Sequence, residues 1–215
     1  MSSLRDSRLR TQNALLPPSS VPDGTRRRIL EVALRLFASE GFHGASIRDI
    51  TRALELQGSA LYAHFPSKEH VLAELVHLGH EVHAAALQEA FDKVGEDPVD
   101  QLKALVRVHT VLHATYPHLA VVVNEQIFAL PPEFAAPALA SRAQSAALLL
   151  HVVEMGIAQG KFSVPSPVAT AAAISAIGVR LPYWYDTSHE LSIDALADIH
   201  VELSLRMLGA SPDVK

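Results

Sequence analysis

The sequence predicts an all-α protein in which a small N-terminal unit of three helices precedes a larger helical domain, with about nine helices in total. Of its 215 residues, 49% are hydrophobic, and Ala is used heavily. Gly and Pro fall in short clusters, which leaves long segments available for helices. Within these segments apolar residues recur every three or four positions, which is the spacing of amphipathic helices.

Composition excludes several classes of protein. No run approaches the roughly 20 apolar residues of a membrane span, and no apolar signal-peptide core follows the Arg-bearing start. The chain contains no Cys, so it forms neither disulfides nor thiolate metal sites. We therefore expect a cytoplasmic protein with no membrane partner.

Charge is divided unevenly along the chain, whose net charge is −5. Residues 1–68 carry ten Lys and Arg against six Asp and Glu, a net charge of +4. Residues 69–215 carry eight Lys and Arg against seventeen Asp and Glu, a net charge of −9. A basic start joined to an acidic remainder is expected of a protein whose first part alone meets phosphate.

Residues 1–24 are predicted to form a flexible arm, because Arg, Ser and Pro are mixed there without an apolar period. Two interpretations stay open for its arginines, a solvated terminus or contact with nucleic acid. These arginines are Arg5, Arg8 and Arg10.

Three helices are predicted after the arm. The first begins at Thr25, and its apolar stripe ends at Gly41, a residue type that commonly stops helices. The second is about two turns long, with Ser46 as its N-cap and Asp49 three residues later. The third is also short, because Pro66 follows it closely. Two short helices leaning on a longer one make a helix-turn-helix unit.

The motifs of this unit carry a family resemblance. They are Arg28-Ile29-Leu30, Ala33, Leu36-Phe37, Glu40-Gly41-Phe42, Ser46-Ile47-Arg48-Asp49-Ile50, Leu61-Tyr62-Ala63-His64-Phe65 and Ser67-Lys68-Glu69. In this order and spacing, over about residues 25–72, they resemble the TetR/AcrR family of transcription regulators. The resemblance implies a helix-turn-helix DNA-binding domain at residues 25–70 and a ligand-binding and dimerisation domain at residues 71–215.

The resemblance also assigns residues to double-stranded operator DNA. The family's phosphate-contacting positions match Ser46, Arg48, Tyr62, His64 and Lys68, and its base-facing positions match Gln57, Gly58, Ser59 and Ala60. The third helix then lies in the major groove, where the Gln57 amide can pair with adenine through two hydrogen bonds. Other roles stay open: Ser46 as a helix cap, Arg48 as a solvated residue and Tyr62 as a packing residue.

The turn between the two short helices departs from the family pattern. It usually carries Gly, whose backbone tolerates left-handed angles, but here it carries Glu55. Gln57 likewise stands where Ser usually caps the third helix. We therefore expect a third helix that is poorly capped or shifted in its start.

Helices are predicted for most of the remaining chain. Their ranges are 67–92, 98–115, 133–159, 167–184 and 192–208, with an apolar segment at 119–130. The last two carry Ala, Ile and Leu at close-packing positions, and the resemblance implies that they pair with their copies in a homodimer. A core within one chain is the alternative, because periodicity does not distinguish the two.

The resemblance places an effector pocket among the middle helices. Candidate lining residues are His109, His113, Asn124, Phe128, Phe134, Met155, Tyr183 and Trp184. Their apolar and aromatic character suits a small lipophilic effector. Residues 178–185 are similar to a segment of family members that respond to acyl-CoA thioesters. The implied function is a repressor released from a palindromic operator by this effector, with an activator of the same fold as the alternative.

Metal binding and catalysis are not predicted. His109 and His113 lie four residues apart, and His77, His80 and His83 form a second group. Neither group has a Cys or a fixed carboxylate partner, so we expect no metal and no cofactor. The sequence has no Gly-rich phosphate loop, nucleophile elbow or His-Glu-x-x-His motif. We expect no catalytic residues; a helical enzyme or an adaptor protein is the alternative.

Overall fold

The computed structural model of the chain describes residues 9, 14–18, 20–186 and 190–210. Within these ranges it contains nine α-helices and no strand, which confirms the predicted all-α class. They are α1 (Thr25–Glu40), α2 (Ile47–Ala53), α3 (Gly58–Tyr62), α4 (Lys68–Asp92), α5 (Pro98–Thr115), α6 (Pro117–Val121), α7 (Pro132–Ala158), α8 (Pro167–Val179) and α9 (Ile193–Met207). None of the described helices is long and apolar enough to cross a membrane.

Most predicted helix bounds are confirmed to within a residue, including those of α4, α5, α7 and α9. The helix predicted at 167–184 is wrong at its C-terminal end, because α8 stops at Val179 and a 3-10 turn follows at Leu181–Tyr183. Pro182 has no N–H to continue the α-helical hydrogen bonds. The apolar segment at 119–130 is also not one element, since α6 leads into a π-helical turn (Val122–Gln126) and a 3-10 turn (Ile127–Ala129).

The described residues fall into two compact units. Unit 1 comprises the chain up to Val82 together with Tyr116–Leu139, and unit 2 comprises His83–Thr115 together with the chain from Ala140 onward. In unit 1, α1 packs against α2, α6 and the π-helical turn. Its core contains fully buried Phe37, Ile50, Leu61 and Phe65, among others. The short helices α2 and α3 therefore bury their inner faces in a core that α1 organises.

Part of the predicted N-terminal arm is packed into this core. Leu16 and Val21 are buried, and their carbonyls accept hydrogen bonds from the Arg27 guanidinium at 2.9 and 2.8 Å. No apolar period is present there because isolated apolar residues, rather than a helix face, make these contacts. Arg5, Arg8 and Arg10, by contrast, lie outside the described residues.

Unit 2 is organised around α5. This helix packs against both α8 and α9, and its buried residues Leu102 and Leu105 join a core with Val152, Val153 and Ile174. A smaller, separate apolar cluster includes Leu181 of the 3-10 turn and is completed by Ala114, Tyr185 and Leu196. The element that carries His109 and His113 is thus central to unit 2.

Helix α2 ends in a left-handed turn at Glu55, which has a φ of 56°. The Leu56 N–H donates to the Thr51 carbonyl at 2.9 Å, and the Glu55 N–H donates to the Arg52 carbonyl at 3.2 Å. These two hydrogen bonds form a Schellman motif, whose left-handed position is usually Gly. The turn therefore forms with Glu in the place of Gly, at a steric cost to the backbone.

Glu55→Gly is expected to raise the free energy of unfolding by about 0.5–1 kcal/mol. Gly adopts positive φ without the roughly 1–2 kcal/mol that a Cβ costs there, although its unfolded chain has more entropy. Urea denaturation followed by circular dichroism measures the change. The control is Ala53→Gly, at an exposed helical position of α2, which has no strain to relieve and should lower stability because Gly is a poorer helix former than Ala. Equal destabilisation by both substitutions would contradict the strain at Glu55.

Candidate nucleic-acid interface

The N-terminus of α2 is closed by a capping box between Ser46 and Asp49. The Asp49 N–H donates to the Ser46 hydroxyl at 3.2 Å, and the Ser46 N–H donates to the Asp49 carboxylate at 3.0 Å. Hydrogen bonds from the Ser46 hydroxyl and backbone lower the pKa of Asp49. The predicted cap is confirmed, and the Ser46 side chain remains exposed; its contact with phosphate stays a prediction.

Two arginines of α2 differ in their partners. Arg52 donates to the Asp49 carboxylate at 2.9 Å. Arg48 is exposed and has no ion-pair partner among the residues that the structure describes. An unpaired surface guanidinium can neutralise a phosphate without first breaking an internal ion pair. Arg48 is therefore the better placed of the two for a phosphate contact.

Helix α3 has one buried and one exposed side. Leu61 is fully buried, whereas Gln57, Ser59 and Tyr62 are exposed, with 56% of Tyr62 accessible. Gly58 begins the helix and Ala60 is half-buried. Gln57 is the N-cap residue but makes no side-chain cap hydrogen bond, which confirms the expected poor capping. Its amide is thus not committed to capping the helix.

Arg26 on α1 holds the chain just after α3. Its guanidinium pairs with the Glu74 carboxylate, donates to the His64 carbonyl at 2.8 Å and lies 4.3 Å from the centre of the Phe65 ring. The Arg26 side chain therefore joins three elements: α1, α4 and the segment that follows α3. No local pattern in the sequence indicates this role, because the partners of Arg26 are 38 to 48 residues away along the chain. The His64 side chain itself is half-buried.

Lys68, at the start of α4, is directed at the loop between α1 and α2. Its Nζ donates to the carbonyls of Phe42 at 2.7 Å and Ala45 at 2.9 Å, and it lies 4.1 Å from the centre of the Phe42 ring. These contacts close the loop that leads into α2. The predicted phosphate contact of Lys68 stays a prediction beside this structural role.

The π-helical turn also binds the backbone of Phe42. The Phe42 N–H donates to Gln126 Oε1 at 2.9 Å. The same turn contacts α4, where His80 Nε2 bonds the Val123 carbonyl at 3.3 Å. The close approach depends on Gly79, because a Cβ there would collide with the side chain of Val123. The turn thus connects α4 to the loop that positions α2.

The eight predicted effector residues are divided between the two units. Three belong to unit 1: Phe128 is 78% exposed, Phe134 packs beside His70, and the Asn124 amide donates to the Ala120 carbonyl. Five belong to unit 2: His109, His113, Met155, Tyr183 and Trp184. Their role in effector binding stays a prediction.

Within unit 2, two of these residues lie side by side. The rings of His109 and His113 have centres 4.2 Å apart. Burial lowers the pKa of His109 to about 4, so its imidazole is neutral near pH 7. Tyr183 lies under the Arg180 guanidinium, 3.8 Å from the ring centre, and Met155 and Trp184 are exposed. His113 is buried and His109 is half-buried, so this pair is the polar part of the group that is packed inside unit 2.

The chain is similar to known bacterial regulators over most of its length. The family described as "Bacterial regulatory proteins, tetR family" matches residues 29–75, and "Tetracyclin repressor-like, C-terminal domain" matches residues 95–208. The HTH-type transcriptional repressor KstR2 of Rhodococcus jostii (strain RHA1) is 26% identical over 210 residues, which is 91% of this chain and 98% of that protein.

Solved structures share the fold. A bacterial regulatory protein in the tetR family from Rhodococcus RHA1 has a TM-score of 0.80 and 26% identity, covering 88% of this chain and all of that one. AibR in complex with isovaleryl coenzyme A and operator DNA has a TM-score of 0.75 and 22% identity, covering 83% of this chain and 96% of that one.

Gln126→Met is expected to lower the free energy of unfolding by about 1–3 kcal/mol, because the buried Phe42 N–H loses its acceptor. Urea denaturation and hydrogen exchange at the Phe42 amide measure the effect. Gln126→Glu keeps an acceptor oxygen at the same length and should retain slow exchange. Wild-type exchange in Gln126→Met would show that this hydrogen bond does not hold the loop.

Proposed function

Because the chain belongs to the TetR family of bacterial regulatory proteins, we propose that it is a repressor released from a palindromic operator by a small lipophilic or acyl-CoA-like effector. The similarity to the repressor KstR2, over nearly the whole of both chains, supports repression. The bound isovaleryl coenzyme A of AibR supports an acyl-CoA effector only through the shared fold. We propose no catalytic step for this protein, and we propose that it acts in the cytoplasm.

The observation that carries the DNA-binding proposal is the division of α2 and α3 into buried and exposed sides. Gln57, Ser59 and Tyr62 are exposed around a helix whose Leu61 is fixed in the core. On α2, Arg48 is exposed and has no ion-pair partner among the described residues. A short helix anchored in this way can present its outer side to base edges in the major groove. Arg48 then contributes a phosphate contact, and Gln57 contributes base recognition.

Release follows from a population shift. The effector binds more tightly to a conformation of the dimer whose two DNA-binding units no longer match successive major grooves, so it draws the population toward that conformation. DNA and effector must then weaken each other's binding by the same factor. Within unit 2, the candidate residues offer the effector aromatic and apolar surface with a few polar groups; they are His109, His113, Met155, Tyr183 and Trp184.

The dimer is proposed to form through α8 and α9. On α9, Ile199, Leu203 and Met207 are exposed at intervals of four residues, and 43% of Leu203 is accessible. On α8, Val168, Ala172 and Ala176 are exposed with the same interval. Apolar stripes of this kind on two helices of one unit fit an interface between helices of two chains.

Arg48→Ala is expected to weaken operator binding about tenfold at moderate salt and to reduce the slope of log affinity against log salt by about one, since one phosphate contact is lost. Fluorescence anisotropy with a duplex selected by the wild-type chain from random DNA measures both. Arg52→Ala is the matched control: it lies on the same helix and already pairs with Asp49, so the salt slope should not change. Equal slopes for all three chains would contradict the role of Arg48.

Leu203→Glu is expected to convert a dimer into a monomer, because a carboxylate would be buried in an apolar interface. Size-exclusion chromatography with light scattering measures the mass. Leu139→Glu is the control: its Leu is also 43% exposed but lies on α7 in unit 1, so the dimer should persist. A dimer in Leu203→Glu, or a monomer in both variants, would overturn the proposed interface.

A further inference from the structure

Three histidines from two helices converge inside unit 2. His83 lies on α4, and His109 and His113 lie one turn apart on α5. One nitrogen from each ring lies within 4.8 Å of the other two, and His83 Nε2 is 2.8 Å from His109 Nδ1. His113 is buried and the other two are half-buried. The sequence showed the pair on α5, but it gave no means of placing His83 beside them.

In each ring, one nitrogen is bound to a backbone carbonyl or to a serine hydroxyl. His109 Nε2 donates to the Ser175 carbonyl on α8 at 2.9 Å, and His113 Nδ1 donates to the His109 carbonyl at 2.8 Å. His83 Nδ1 lies 3.3 Å from the Ser145 hydroxyl on α7. Histidines that bind metals usually donate their second N–H to such a carbonyl or hydroxyl, which fixes the ring and the tautomer.

Two proton arrangements are compatible with the contacts to Ser145, Ser175 and the His109 carbonyl, and they differ at the 2.8 Å contact between His83 Nε2 and His109 Nδ1. In one, the Ser145 hydroxyl donates to His83, whose Nε2–H donates to His109 Nδ1. In the other, Ser145 donates to the Ser141 carbonyl at 3.2 Å and accepts from His83 Nδ1–H. His83 Nε2 and His109 Nδ1 then face each other as two lone pairs, which repel unless a cation lies between them. The second arrangement is the one that a metal ion would select.

We propose that His83, His109 and His113 form a binding site for a Zn²⁺ ion. Neutral imidazole nitrogens suit Zn²⁺ among the late first-row divalent ions, and three histidines leave the fourth tetrahedral position for water. Zn–N bonds of about 2.0–2.1 Å require nitrogens about 3.4 Å apart, so the 2.8 Å pair must open by roughly half an ångström, and nitrogens separated by up to 4.8 Å must approach each other by up to about 1.4 Å.

The surrounding helices are shaped to hold the central ring. Gly178 on α8 faces His109, and a Cβ there would collide with the ring atoms Cδ2 and Nε2. The missing side chain lets the imidazole approach α8 closely enough to reach the Ser175 carbonyl. Because the ligands come from α4 and α5, a bound ion would tie the last turns of α4 to α5. This binding does not depend on the proposed repressor function.

The test is titration of the full-length, tag-free chain, stripped of metal, with Co²⁺ and then with Zn²⁺ in competition. We expect one Co²⁺ per chain, with the strong visible absorption of a tetrahedral centre, and its displacement by one Zn²⁺. His83→Gln and His113→Gln should each lower Zn²⁺ affinity at least a hundredfold. Ser145→Ala, which keeps all three ligands, should lower it about tenfold because the His83 ring is less well held.

The control is His151→Gln, which removes an exposed histidine from α7 in the same unit and should bind one ion with wild-type affinity. Circular dichroism of the metal-free variants checks that each is folded, and Ser145→Ala supports the comparison if a ligand variant does not fold. Absence of stoichiometric uptake by the folded wild-type chain would overturn the proposal. Equal loss of affinity in His151→Gln would overturn it as well, because binding would then be to surface histidines.

Discussion

The helix-turn-helix depends on the backbone of Phe42, whose polar groups lie in a loop outside any helix. Its N–H is bound by Gln126 and its carbonyl by Lys68, while its ring packs edge to face with Phe37 at 5.5 Å between centres. A buried N–H or carbonyl without a partner is costly, so these side chains are needed wherever the loop is buried. The orientation of α2, and with it that of α3, follows from how this loop is fixed.

Local signals in the sequence were sufficient for most of the fold. Gly41 ends α1 with a φ of 78°, and Ser46 with Asp49 begins α2, because caps and stops involve neighbours along the chain. The end of α8 was missed, since the apolar pattern runs on through Pro182 although the helix does not. The clamp made by Arg26 was also missed. Its partner Glu74 is 48 residues away, and no local pattern distinguishes it from a solvated arginine.

The candidate sites were predictable to different degrees. Exposure of Gln57, Ser59 and Tyr62 agrees with an outer side of α3, which the family resemblance implied. Lys68 was expected only at DNA, yet its ammonium is bound to two carbonyls of the same unit. The contact between His83 and His109 depends on how α4 packs against α5. The sequence pattern of either helix alone does not indicate that packing. Sequence patterns thus identify the faces of helices better than the contacts between them.

The π-helical turn at Val122–Gln126 also restricts the length of the chain. A π-helical turn contains one residue more than the α-helical turn it replaces, and each α-helical residue turns the backbone by about 100°. Loss of one residue there would rotate Gln126 away from Phe42, and gain of one would displace the carbonyl that His80 meets. The segment therefore has a fixed register, in which side chains can be exchanged far more readily than residues can be inserted or deleted.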